Sequence, residues 1–141
     1  MRHRIRIERA HPGEDRFDPE GRLDVVLSGL VLSCAVLMPT PEAWSRLAHG
    51  LELDVELWLE RSGSVRRLPE APAALTSMGG VFWRATGLVT DCDGDWLKLE
   101  SVVPLSIDLD PPVQAPSGLP LIAAGDHLEV EGRLKLDLEL D

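Results

Sequence analysis

From Leu51 to Leu59 every second residue is apolar: Leu51, Leu53, Val55, Leu57 and Leu59 alternate with Glu52, Asp54, Glu56 and Trp58. A period of two places the apolar set on one face of a β-strand and the polar set on the other. The same period returns through most of the chain. Ile5 and Ile7 alternate with Arg4 and Arg6, and Leu23, Val25 and Leu27 follow a loop signalled by Pro12, Gly13, Pro19 and Gly21. The near-continuous apolar run from Leu30 to Met38 predicts a central strand covered on both faces. One short helix is predicted near residues 41–49, with Thr40 as its cap, Pro41 at its first position, Glu42 at the positive end of its dipole and Gly50 beyond its end. Trp44, Leu47 and Ala48 share one stripe of that helix, which makes Trp44 a packing residue. A turn is expected at Ser62-Gly63, and residues 69–80, unpatterned and holding Pro69, Pro72, Gly79 and Gly80, read as a connection.

Beyond it, apolar segments flank Asp93-Gly94, a strong hairpin signal joining 81–91 to 96–100. Val103, Leu105, Ile107 and Leu109 alternate as a further strand. After a proline-containing loop, Leu128, Val130, Leu134, Leu136, Leu138 and Leu140 alternate with charged neighbours, interrupted at Gly132, which predicts a bulge or bend. The expected fold is mostly β: a small β-barrel or sandwich of at least seven strands with one short helix, forming a single domain over 1–141. Within it two β subunits, 1–68 and 81–141, are joined by 69–80. Gly50, Leu53, Val55, Glu56 and Leu59 recur at the same offsets as Gly125, Leu128, Val130, Glu131 and Leu134. Two related units would give this match, and so would any two amphipathic strands that follow a glycine turn. The strand order from Val81 onward, closing on "GDHLEVEGRLKLDLEL", resembles the closing strands of OB-fold barrels. That resemblance implies topology, carried by hydrophobic and glycine positions over about 60 residues.

Charge narrows the list of partners. The net charge of −10 is unevenly placed: residues 1–85 hold 11 basic and 12 acidic side chains, and residues 86–141 hold 3 and 12. A negative field of this kind repels phosphate backbones and anionic lipid and attracts basic proteins. Single-stranded nucleic acid, which OB-folds often bind through aromatic residues set among basic ones, is therefore disfavoured. Cys34 and Cys92 are too few for a disulfide framework and lack zinc-site spacing, so both are expected to be buried thiols. The apolar stretch Val25–Met38 is too short to span a bilayer, which takes about 20 residues. Six acids precede it, so Leu32-Ser33-Cys34 is a poor lipoprotein signal. The expected location is cytoplasmic. Arginine in large excess over lysine, with abundant Gly, Pro, Ala and Leu, fits a high-GC bacterial coding bias.

Candidate chemistry is sparse. "DCDGDW" places Asp91, Asp93 and Asp95 at alternate positions, but the sixth and twelfth positions of a calcium loop would fall on Trp96 and Val102 instead of Gly and Glu. No metal is expected. Asp108 and Asp110 share one strand face roughly 7 Å apart, without the histidine, tyrosine or asparagine that paired-carboxylate hydrolysis would add in sequence. The four histidines share no ligand spacing, and no nucleotide, hydrolase or metalloprotease motif occurs, so no catalytic residue or cofactor is assigned. Trp58 and Trp96 point toward the charged faces of their strands, where exposed tryptophan marks interfaces. The expected function is a non-enzymatic interaction module of inhibitor or immunity type. A protein with a basic surface would dock on Trp58, Trp96, Asp108, Asp110, Glu129 and Glu131. The alternative is a small-ligand or carbohydrate barrel, or an enzyme, whose pocket joins Trp83, Arg84 and Trp96 to the Asp108 and Asp110 pair.

Overall fold

The structure is a computed structural model that describes residues 2–11, 20–37, 41–70, 72–93, 96–109 and 122–138. The described chain is mostly β. Its elements are β1 (Arg2–His11), β2 (Glu20–Leu27), β3 (Leu30–Leu37), α1 (Pro41–Ser45), β4 (Glu52–Leu68), β5 (Ala74–Gly79), β6 (Phe82–Asp93), β7 (Trp96–Glu100), β8 (Pro104–Asp108) and β9 (His127–Leu138). No described helix is long and apolar enough to cross a membrane. The chain divides into two compact units, Arg2–Leu57 with Leu134–Asp141, and Trp58–Arg133. The division falls within β4 and β9 instead of in the 69–80 connection, because each of these long strands continues from one unit into the other.

In the first unit the strand order is β4-β1-β2-β3-β9, antiparallel except for the parallel pair β3 and β9. Alternation works as the sequence predicts: Ile5, Ile7, Leu23, Val25 and Val55 are buried on one face. On β3 the coverage is incomplete, since Val31 is 59% exposed. Helix α1 stops after five residues, short of the predicted 41–49. The chain then turns, with Leu47 N–H donating to Trp44 O and Leu51 N–H to Ala48 O. Gly50 follows at φ 86°, a left-handed conformation that suits glycine. Trp44 and Leu47 are buried, whereas Ala48 is exposed and does not join the stripe. The Trp44 ring lies over Gly21, where an added β-carbon would come within 2.5 Å of it.

The second unit is a ring of five strands. β8 lies parallel to the end of β4, β7 and β6 follow antiparallel, β9 pairs with β6, and β9 returns to β4. Its core includes Leu59, Ala85, Leu97, Ile107, Leu128 and Val130. β4 runs unbroken to Leu68, so Ser62-Gly63 is not a turn. It is held in part by Arg66 on Glu129 and by Arg133 on Glu60. Gly132 is not a bulge either: it pairs in regular register with Trp83. Glycine is required there because β4 crosses so closely that a β-carbon would meet Glu60 O at 2.2 Å. Gly87 plays the same part, since a β-carbon there would collide with Glu100 O. Within the supposed connection 69–80 lies β5, which among the described residues pairs with β6 alone. As an edge strand with mostly exposed side chains it has no buried face to impose alternation.

The two units share one plan. Gly50 N–H donates to Ile7 O and Ile7 N–H to Leu51 O; in the other unit Gly125 N–H donates to Val89 O and Val89 N–H to Asp126 O, all at 2.8 Å. Register breaks fall at matching places, between Ile7 and Arg9 and between Val89 and Asp91. The glycine-strand match seen in the sequence therefore belongs to two units of related architecture.

Candidate functional site

Inward alternation on β4, β7 and β8 sends the intervening residues outward, and the registers set them side by side. Trp58 neighbours Ser106, which neighbours Lys98, which neighbours Asp91. In the next row Glu60 neighbours Asp108, then Trp96, then Asp93. Trp58 and Trp96 are both half-buried, sheltered by polar neighbours on adjacent strands. Residues 90–109 hold five acids (Asp91, Asp93, Asp95, Glu100, Asp108) and one base (Lys98), a balance of −4. The Cys92 thiol registers this field: burial raises its pKa first, and Asp91, Asp93 and Asp126 raise it further.

Of the six residues singled out in the sequence, this face brings together Trp58, Trp96 and Asp108, and Asp110 lies outside the described residues. Glu129 and Glu131 lie elsewhere. Asp108 is not on a strand next to theirs: β8 neighbours β4 and β7, whereas β9 neighbours β3, β4 and β6. Glu129 and Glu131 are moreover engaged by arginines. Arg66 Nη2 donates to Glu129 Oε1 at 3.0 Å, and Arg84 donates through Nε and Nη2 to Glu131 Oε1 at 3.0 and 2.8 Å. Their side chains are only 18% and 23% exposed. The pocket expected from Trp83, Arg84, Trp96 and Asp108 is not assembled, because Trp83 is buried in the core while Arg84 faces the opposite way toward Glu131. A cleft of about 50 Å³ lies over Thr90, Lys98, Glu100, Pro104 and Ser106, small beside the roughly 300–1,000 Å³ of ligand pockets.

The first unit carries a polar network that no sequence motif signals, because its members come from three strands. Ser33 Oγ donates to Asp24 Oδ1 at 2.6 Å, His11 Nε2 lies 3.0 Å from Asp24 Oδ2, and Arg22 Nε lies 3.5 Å from Oδ1. Burial pushes the Asp24 carboxyl up, but Ser33, His11 and Arg22 together hold it below the usual range. A pKa depressed on folding favours the native state above the unfolded value of about 3.9, and this contribution is lost as pH falls through the folded value. Asp24→Asn is therefore expected to cost about 1.5 kcal/mol at pH 7. Urea unfolding should show the gap from wild type closing toward pH 2, and a gap independent of pH would contradict this account. Among the described residues no group of three or more His, Cys, Asp or Glu is placed to hold a metal ion. Comparison of the chain with protein families, curated proteins and solved structures found no match.

Proposed function

We propose that the protein is a non-enzymatic β-barrel interaction module whose partner presents a basic protein surface. The docking face is the outer side of β7 and β8 with the end of β6. The observation that carries this reading is Trp96, half-buried between Asp93 and Asp108 in a segment with a balance of −4. Tryptophan supplies a large desolvated anchor, and the surrounding carboxylates steer and orient Arg or Lys side chains. The docking residues in this reading are Trp96, Asp91, Asp93 and Asp108, with Trp58 at the border. Glu129 and Glu131 are assigned instead to holding β4, β6 and β9 together. A three-strand meander in a five-strand ring is also consistent with the OB-like reading, in which partners bind across the middle strands.

The test is capture of protein partners on immobilised wild type at two salt concentrations, followed by binding measurements with a Lys/Arg-rich peptide as a defined probe. Asp91→Lys with Asp93→Lys is expected to slow association with the probe, and Trp96→Ala to weaken binding by about 2 kcal/mol. Glu129→Gln with Glu131→Gln should instead lower thermal stability while leaving the probe's association rate largely intact. Equal rates for wild type and the Asp91/Asp93 variant at low salt would remove this face from the reading.

A further inference from the structure

The two units match strand by strand, so the residue occupying each outward position can be compared between them. The bulge-flanking pairs Arg9 with Asp24 and His11 with Arg22 in the first unit correspond to Asp91 with Lys98 and Asp93 with Trp96 in the second. The parallel neighbours Ala35 and Lys135 correspond to Asp108 and Glu60. Sign inverts at position after position: Arg9 stands where Asp91 does, Asp24 where Lys98 does, and Lys135 where Glu60 does. His11 and the buried Ala35 match two further acids, Asp93 and Asp108. With histidine neutral, Arg9, Arg22 and Lys135 against Asp24 give the first face +2 over the matched positions, and the exposed Asp137, two residues beyond Lys135 on the same face, lowers this to +1. The second keeps −2 from Asp91, Asp93 and Asp108 against Lys98, since Glu60 is paired with Arg133. Arg9, Asp91 and Asp93 are exposed, and Arg22 is 41% exposed in its side chain.

We infer that the basic surface recognised by the acidic face is the corresponding face of a second copy of this chain. The β6–β7–β8 face of one copy would dock on the β1–β2–β3 face of another, an inference that rests on the docking reading above and names its partner. Two quasi-equivalent surfaces of opposite charge are complementary in sign without being self-complementary. The contact is heterologous, using a different face on each copy. A pair leaves the basic face of one copy and the acidic face of the other unused, so association continues until a ring closes or the chain of copies ends.

The test is sedimentation equilibrium of the full chain. Wild type is expected to show a weight-average mass above 15.5 kDa at low salt, with its dissociation constant rising about tenfold or more as screening sets in at 0.5 M salt. Asp91→Lys with Asp93→Lys makes both faces basic, and Arg9→Glu with Lys135→Glu makes both acidic. Each variant alone should stay monomeric, and an equimolar mixture should associate again. Circular dichroism checks that both variants are folded, which exposed substitutions of this kind should leave intact. A wild type that is monomeric at every concentration and salt, while its acidic face still binds the Lys/Arg-rich peptide, overturns the self-recognition and leaves the docking reading standing. Loss of peptide binding as well overturns both. Association that neither variant disturbs, or a mixture that stays monomeric, also overturns the inference.

Discussion

Trp44→Ala is expected to be the most damaging single substitution in the first unit, costing about 3–5 kcal/mol. The ring is 9% exposed and lies over Gly21, and the one-turn helix that carries it has too few residues to be stable by its own hydrogen bonds. Removing the ring therefore removes both the contact and the reason for α1 to stay folded against β2. Chemical unfolding should show a lower midpoint with loss of tryptophan fluorescence change on folding from this site. Gly21→Ala should also destabilise, since its β-carbon would meet both the ring and His11 O, 2.6 Å away. The two costs should be less than additive, because the ring clash vanishes when Trp44 is absent while the clash with His11 O remains. A loss below about 1 kcal/mol for Trp44→Ala would mean that the ring is not part of the core.

The matching expectation for the second unit concerns Gly132. An alanine there would place its β-carbon 2.2 Å from Glu60 O and 3.0 Å from Arg61 Cα. Both are backbone atoms, which cannot swing aside as a side chain can, so β9 and β4 must separate locally and weaken the Arg133 to Glu60 pair with them. The expected cost is about 3 kcal/mol, at the upper end for overpacking, or a fall of roughly 10 °C in Tm for a chain of this size. Gly87→Ala should behave alike, because its obstacle is the backbone of Glu100 and Ser101. Thermal melts of Gly132→Ala within 2 °C of wild type would show that the strands do not approach this closely.

The sequence makes much of this fold legible and leaves these glycines obscure for one physical reason: alternation is local, whereas crossing strands are not. Leu53, Val55, Leu57 and Leu59 report their own strand, and the hairpin across residues 94 and 95 is specified by its immediate flanks. Gly132 reads as a bulge because the strand that requires it lies more than 70 residues earlier. β5 is hidden for a related reason: an edge strand with little buried surface leaves no periodic trace. Among the site residues, parity alone places Trp58, Trp96 and Asp108 on outward faces. It cannot reveal that Arg66 and Arg84, 63 and 45 positions before Glu129, already occupy the acidic face of β9. The His11, Arg22, Asp24 and Ser33 network is invisible for the same reason.

That β4 and β9 each serve both units has a consequence for how the protein is made. The first unit takes residues 52–57 and 134–138 from these strands, and the second takes 58–68 and 127–133. A nascent chain that has delivered β1 through β8 possesses neither unit whole, so folding waits for β9 and then completes both together. Contacts between residues far apart in sequence make this step slow in proportion to the loops that must close. During that interval the uncharged edge β5 and the apolar faces of β6 to β8 stand open to other chains. Expression at lower temperature or with chaperones should therefore raise soluble yield more than any surface substitution. A cut between 69 and 80 should yield two fragments that fold only when mixed.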